Sequence, residues 1–420
     1  MLKQIEGSRA VAETVAMCRP QVICAYPITP QTHIVETLGV MVKKGELNAE
    51  FLNVESEFAA MSVAIGAEAA GARAYTATAS QGLLYMSEAV YNAAGLGLPI
   101  VMTIANRAIG APINIWNDHS DAMSQRDAGW IQLYAETNQE AADLHIQAFR
   151  IAEELSNPVM VCMDGFVLTH ASERVDIPAQ SQVDAFLPPY EPRQVLDPGD
   201  PVSIGAMVGP EAFTEVRYLA FERMRRALEV IPAVEADFGA QFGRGSGGLV
   251  KQYRTDDADL IVVALGSVLG TVKDAIDELR DDGVQAGALT ITTFRPFPVQ
   301  AVRDALGDDD RLRRLVVLER SLAPGAGGVV TADLRTALAT GDGGPRDAII
   351  STVIAGLGGR PVTRRSLRRM LTRAARGELP EFSFLDLDRH LVEGELTRIR
   401  AARRSGPSAE NILRALARRS

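Results

Sequence analysis

Cysteine is scarce in this 420-residue chain, which has only Cys18, Cys24 and Cys162. None of them has CxxC or ferredoxin spacing, so the chain by itself is expected to carry no iron–sulfur cluster and no structural zinc. Cys24 and Cys162 fall inside apolar runs, where a thiol reads as buried and inert. Long hydrophobic runs are missing too. No window approaches the ~20 apolar residues of a membrane span. The N-terminus sets Lys3 and Arg9 around a mixed segment with no secretory apolar stretch. A cytoplasmic protein with no membrane partner is the expectation. There is no excess of positive charge: the net charge of −10 argues against a nucleic-acid partner, whose recognition rests on a basic surface. Asparagine is absent between Asn157 and Asn411, a gap that bears on cofactor binding below. The remaining composition is that of a globular protein long enough for two or three domains, each with its own core.

The first part of the chain reads as alternating helix and strand. Ser8 can cap a helix over roughly 9–18, and the strand QVICAY (21–26) follows. FLNV (51–54) leads into the alanine-rich helix 56–70. RAYTATA is the next strand, then a turn at Ser80–Gly82 and a helix near 83–95. The strand PIVMTIA precedes a long polar loop from Asn106 to Arg126, and a helix over about 138–155 leads to the strand PVMVCMD (158–164). Short apolar runs separated by helical patterns indicate an α/β fold, a parallel sheet covered on both faces. Residues 185–245 read as a proline-containing linker with one helix, 211–229. A second α/β unit begins near Asp256, with the strands LIVVALG, AGALTIT, LRRLVVLER and AIISTVIAG. After about 363 the chain is arginine-rich and mostly helical, ending in the basic segment NILRALARR. The expected boundaries are 1–240, 241–362 and 363–420.

Four unusual segments each follow a strand: YPITPQT, VESE, TASQG and NRAIGAP. Ligands of open parallel sheets bind at the carboxyl ends of strands, so these segments point to a site. Within YPITPQT two prolines flank Ile28 and Thr29 and stiffen the turn. That suits a backbone approaching a planar ligand, and equally a plain strand-ending loop. Glu57 opens a helix directly after a strand. It can favour the helix dipole, or it can reach over the strand ends and share a proton with a ring nitrogen; its neighbour Glu55 reads as solvated. Arg107 closes an apolar strand. Its fork suits a small carboxylate, and a structural ion pair with Asp118 or Asp121 is the alternative. Asp118, His119 and Asp121 invite a metal reading, but one histidine with two aspartates fits a hydrogen-bonded loop or a subunit contact better. His145 and His170 read as structural or exposed, and no metal ligands are assigned.

Glycine clusters supply decoys. GLGGR and GAGG lack the spaced pattern opening a helix, with an acidic residue about 20 positions on, that a dinucleotide site needs. Gly341–Asp342–Gly343 could begin the diphosphate and Mg²⁺ motif of thiamine enzymes. That motif also requires a downstream asparagine, and the chain offers none before Asn411; a surface turn is expected.

In this order, YPITPQT, VESE, TASQG, ANRAIG, IWNDHSDAMSQRDAGWIQLY, NQEA and PVMVCMDGFVLTH resemble the alpha subunit of 2-oxoacid:ferredoxin oxidoreductases, most closely the pyruvate branch. The resemblance runs from about Gly7 to His170 and continues more loosely through FRPFP, VVLER and GLGGR. It implies a pyrimidine-type thiamine-diphosphate-binding domain, then a domain like the C-terminal domain of transketolase, then a helical tail. It further implies that the cofactor is shared with a beta subunit holding the diphosphate and Mg²⁺. Iron–sulfur clusters would lie on partner chains, gamma and ferredoxin-like delta subunits or equivalents. Electrons would pass to ferredoxin and the acyl group to coenzyme A. By the same resemblance Glu57 bonds the pyrimidine N1′, Thr29 and Arg107 hold the substrate, Ile28 lines the cofactor, and Gln81 and Asn117 border the site.

One departure bears on substrate. Related subunits often read SEHA where this chain reads SEFA. Phe58 is expected either to pack in the core or to make the pocket apolar enough for an aromatic or branched 2-oxoacid such as phenylglyoxylate. Two other readings are a non-catalytic scaffold subunit and a self-contained transketolase-like enzyme. Intact Thr29, Glu57 and Arg107 speak against the first, and the incomplete Mg²⁺ motif against the second.

Overall fold

The computed structural model describes residues 1–307, 312–339, 344, 345, 348–402 and 404–418, which leaves Gly341–Gly343 outside the described residues. Among the described residues the chain forms three sheets. The strands of the first part are β1 (Leu2–Glu6), β2 (Val22–Ala25), β3 (Glu50–Asn53), β4 (Ala74–Thr78), β5 (Val101–Asn106), β6 (Ile131–Tyr134), β7 (Val159–Asp164) and β8 (Ser172–Asp176). The second part adds β9 (Val250–Tyr253), β10 (Leu260–Ala264), β11 (Ala286–Ile291), β12 (Thr293–Arg295), β13 (Arg314–Glu319), β14 (Ile349–Ile354) and β15 (Phe382–Phe384).

The larger sheet has the order β12-β6-β7-β5-β4-β2-β3. All its pairings are parallel except β12 with β6. β4, β5 and β7 are buried along their whole length, as continuous apolar runs require when helices cover both faces. The second sheet, β15-β14-β13-β10-β11-β9, is parallel apart from β9. β1 and β8 pair antiparallel as a separate ribbon.

The two units interlock. β12 comes from the second unit yet forms the edge of the first sheet, and Tyr134 N–H donates to Thr292 O at 2.8 Å. Between the units lies a buried charge network. Asp164, the last residue of β7, accepts from Ser267 N–H (2.9 Å), from the Ser267 hydroxyl and from Arg320 Nη1 (3.2 Å), and lies 2.7 Å from His119 Nε2. Burial opposes its ionisation, but Arg320 and His119 outweigh that cost and hold the carboxyl well below the usual range.

Several local expectations change. Ser8 lies inside the helix Gly7–Met17 rather than capping it, and its hydroxyl donates to Thr169 O at 2.8 Å. The linker helix runs from Phe213 to Phe242, straight through Pro232. Ala227, Val230, Ile231, Val234 and Phe238 bury one face around that proline, so packing outweighs the lost backbone bond. The loop after Asn106 contains a short helix, Ser120–Ser124. In the arginine-rich region, helix Arg364–Ala375 buries Leu367, Met370, Leu371 and Ala374 against the second sheet's core. That spacing is one helical face. Burying three large apolar side chains contributes roughly 5–8 kcal/mol before entropy. Two more helices, Arg389–Ala401 and Ser408–Ala417, follow. No helix among the described residues is long and apolar enough to cross a membrane. All three cysteines are buried and free, and burial pushes the Cys24 thiol up to about 12.

Candidate active site

The sheet order β5-β4-β2-β3 makes neighbours of the four strands that precede the four unusual segments. Their mutual pairings are parallel, so all four carboxyl ends lie on one edge. Around that edge the chain assembles a buried polar framework.

Its hub is Asp121, fully buried in the short helix after the long loop. Asp121 accepts from Ser80 N–H (2.9 Å), Arg107 N–H (2.9 Å), Asn106 Nδ2 (2.9 Å) and Ala122 N–H (2.7 Å). Burial raises its carboxyl to about 6, with those four donors pulling the other way. One carboxylate therefore ties the TASQG turn, the end of β5 and the loop to each other.

Arg107 is buried, and burial lowers its affinity for the proton while Asp121 opposes that. Its Nη1 donates to Thr29 O at 2.9 Å and its Nε to Asn114 O at 3.2 Å. The guanidinium thus joins the Tyr26–Thr32 turn to the loop. The alternative, an ion pair with Asp118 or Asp121, is not made: among the described residues no carboxylate lies within ion-pair distance of Arg107. Thr29 is exposed and Ile28 half-buried on the same turn. Gly165 lets that turn approach, since a Cβ there would stand 2.6 Å from Pro30 Cγ and 2.5 Å from Asn106 O.

Glu57 is the first residue of helix Glu57–Ala69, capped by Ser56, whose hydroxyl accepts from Ala59 N–H at 3.2 Å. The carboxylate is buried, yet among the described residues it has neither hydrogen bond nor ion pair. It rests against the TASQG turn: a Cβ added at Gly82 would lie 2.7 Å from Glu57 Oε1 and 2.6 Å from Thr78 Oγ1. A mostly buried side chain whose carboxylate has no protein partner leaves its oxygens free for a ligand able to share its proton. Glu55 is exposed. Phe58 is 37% exposed, which overturns core packing: it projects from the helix start beside Glu57.

Gln81 is half-buried on the turn, where its Oε1 accepts from the Ser80 hydroxyl. Asn117 is buried, and its Nδ2 lacks a hydrogen-bond partner. The loop that carries it is braced from the second unit, a role sequence reasoning missed. Gly359 N–H donates to Asn117 O (2.8 Å), Gly358 N–H to Asp118 Oδ2 (3.0 Å), and Asn114 Nδ2 to Gly358 O (3.2 Å). The GLGGR turn is therefore a clamp on the site loop. Asp118 and His119 point into different bonds, Asp118 to Ser120 and Gly358, His119 to Asp164. They make a hydrogen-bonded loop with Asp121 and form no metal-type cluster among the described residues. His145 is buried and bonded on both nitrogens, whereas His170 is exposed.

The site fits a flat, nitrogen-containing ring: an unpartnered buried carboxylate, an orphaned amide donor and a glycine cradle that a methyl group would fill. Comparisons with known proteins agree with this chemistry. Residues 13–236 match the family described as pyruvate flavodoxin/ferredoxin oxidoreductase, thiamine diphosphate-binding. Residues 258–367 match pyruvate:ferredoxin oxidoreductase core domain II. Pyruvate synthase subunit PorA of Methanosarcina barkeri is 46% identical over 396 residues, covering 92% of this chain and 97% of the relative. In Pyrococcus abyssi, PorA is 45% identical over 371 residues (88% and 92%), and ketoisovalerate oxidoreductase subunit VorA is 40% identical over 362 residues (86% and 90%). A solved 2-oxoglutarate:ferredoxin oxidoreductase from Magnetococcus marinus shares the fold at a TM-score of 0.70 and 18% identity. The match covers 89% of this chain and 65% of that one, less than two thirds of its length.

Proposed function

Since the chain belongs to the pyruvate flavodoxin/ferredoxin oxidoreductase family as an alpha-type subunit, we propose that it forms the aminopyrimidine side of a thiamine-diphosphate site and serves pyruvate oxidation. The observation that carries this reading is Glu57, a buried carboxylate with no protein partner at the sheet edge. Thiamine diphosphate, when bound, supplies the carbanion and electron sink for cleaving the bond between a 2-oxoacid's carboxylate and its carbonyl carbon.

The chain's own residues do the rest. Glu57 holds a proton against a ring nitrogen, which poises the cofactor for loss of its reactive carbon-bound proton. Ile28 would line the cofactor, and Gln81 and Asn117 would border the site. Arg107 and Thr29 receive the substrate carboxylate and carbonyl. Arg107 spends only part of its donor set on Thr29 O and Asn114 O, so guanidinium N–H groups remain for an anion. Its charge favours capture of a carboxylate that the reaction then removes, so it acts mainly on binding.

The diphosphate and Mg²⁺ are assigned to a beta subunit, since no asparagine lies between Asn157 and Asn411. Clusters carrying electrons to ferredoxin are assigned to gamma and delta-type partners, and the acyl group passes to coenzyme A. Pyruvate is favoured over a branched acid because, within P. abyssi, PorA is more similar than VorA. Phe58, exposed beside Glu57, favours a second reading with a bulkier 2-oxoacid. A panel of 2-oxoacids assayed on the assembled complex separates the two, and dominant turnover of pyruvate removes the second. Glu57→Gln should abolish turnover in that complex while assembly persists; undiminished turnover would refute the catalytic reading.

A further inference from the structure

Three side chains of metal-ligating type converge at a place the proposed reaction does not use. Glu6 ends β1, His33 is the second residue of helix Thr32–Lys43, and His170 lies in the turn region after β7. One ligand-type atom from each lies within 4.8 Å of the other two. Glu6 Oε1 is 2.7 Å from His33 Nδ1, and the His33 and His170 rings stand 4.7 Å apart between centroids, tilted by 34°. His170 Nδ1 is 2.7 Å from Thr169 Oγ1, and its ring leans on Phe166 at 4.7 Å.

We propose that Glu6, His33 and His170 bind one divalent transition-metal ion of the zinc class. Two imidazole nitrogens and one carboxylate oxygen are the donor set that borderline divalent ions select. Donors around a tetrahedral ion, at about 2.0–2.1 Å each, are roughly 3.3 Å apart, so the 2.7 Å Glu6–His33 pair must open by roughly 0.6 Å while the remaining separations, all within 4.8 Å, close by at most about 1.5 Å. The side chains are free to do so: His33 is 49% and Glu6 31% exposed. The Thr169 hydroxyl orients the His170 ring, the kind of outer contact that fixes which nitrogen faces a metal. The three ligands come from three segments, so the ion pins the end of β1 and the loop after β7 to the helix that directly follows the Thr29 turn. The open solvent side leaves at least one coordination position to water.

The test uses the full-length chain freed of metal by a chelator. Titration with Co²⁺, followed by visible absorption and then displaced by Zn²⁺, should show one ion per chain with a nitrogen-ligated spectrum. His33→Gln and His170→Gln should each weaken binding at least tenfold while keeping the wild-type circular dichroism and melting temperature in chelator. His390→Gln, at an exposed histidine elsewhere, should leave binding unchanged. Absence of saturable one-equivalent binding by the wild-type chain would overturn the proposal, and so would wild-type affinity in both cluster variants.

Discussion

Gly82→Ala tests whether the position of Glu57, and not merely its presence, controls the chemistry. A methyl group at residue 82 would stand 2.7 Å from Glu57 Oε1, 2.9 Å from Glu57 Cγ and 2.6 Å from Thr78 Oγ1. Relaxed contacts of this type are about 3.5 Å, so the carboxylate must retreat by roughly 0.8 Å. For folding, the Glu57 carboxylate can swing away and alanine inside helix Ser80–Tyr85 returns up to about 1 kcal/mol of helix propensity, but the buried Thr78 must shift too, an overpacking cost of about 1–3 kcal/mol. For catalysis, a misplacement of about 1 Å costs up to ~10²-fold. The expected result is a fall of about 10- to 100-fold in turnover, with stability lowered by no more than about 3 kcal/mol. The informative assay is exchange of the cofactor's reactive proton for deuterium in the reconstituted complex, read by NMR after acid quench. It reports the step before any electron leaves, so it is blind to partner clusters. Exchange within twofold of wild type in a folded Gly82→Ala complex would show that Glu57 is not the group setting that step.

Three further outcomes follow from the same geometry. Arg107→Gln should raise KM for the 2-oxoacid about 10- to 100-fold, the worth of a charge-assisted hydrogen-bonded contact of roughly 1.5–3 kcal/mol, with a smaller effect on kcat; a change confined to kcat would contradict a binding role. His145 is fully buried, bonded to Thr103 Oγ1 (2.6 Å) and Ala141 O (2.6 Å), and burial lowers its pKa from 6.5 to about 4. Between those values the unfolded chain binds the proton and the folded chain does not, so this group's contribution to stability rises with pH across the window, by about 3 kcal/mol in all. The stability gap between wild type and His145→Gln in urea unfolding should therefore narrow by about that amount from pH 7 to pH 4, and a constant gap would contradict it. Asp164→Asn leaves buried Arg320 without its carboxylate, which should cost about 3–5 kcal/mol; a loss under about 1 kcal/mol in chemical denaturation would mean the network is dispensable.

The strand-end chemistry was legible in the sequence because its signals are local. A proline-stiffened turn, a glutamate opening a helix and an arginine closing an apolar strand each announce themselves within a few residues. Their shared edge follows once the strands are parallel, and the order β5-β4-β2-β3 makes them neighbours. What was not legible depends on contacts across the chain. β6 is a four-residue strand with a buried glutamine in it, and its partner β12 arrives from the second unit, so neither has a periodicity long enough to notice. Pro232 reads as a stop until the buried face around it is seen. Phe58 reads as core beside an alanine-rich helix, yet the helix turns it outward.

The same limit applies to the supports of the site, and there a signal did exist. Asp164 ends β7, and Arg320 directly follows β13 and its buried last residue Glu319, as Arg107 directly follows β5. A charged residue in that position must find a partner or bind a ligand, and the three divide between the two roles. Asp164 and Arg320 satisfy one another across the unit boundary, with His119 from the site loop as a third member. The Arg107 guanidinium donates only to carbonyls, and no described carboxylate lies within ion-pair distance of it. The second unit therefore does more than follow the first. Through Arg320, whose carbonyl accepts from His119 N–H, and through the Gly358–Gly359 turn it holds the loop bearing Asn117 and Asp121, and through that loop it holds Arg107, the strand-end charge proposed to receive the substrate.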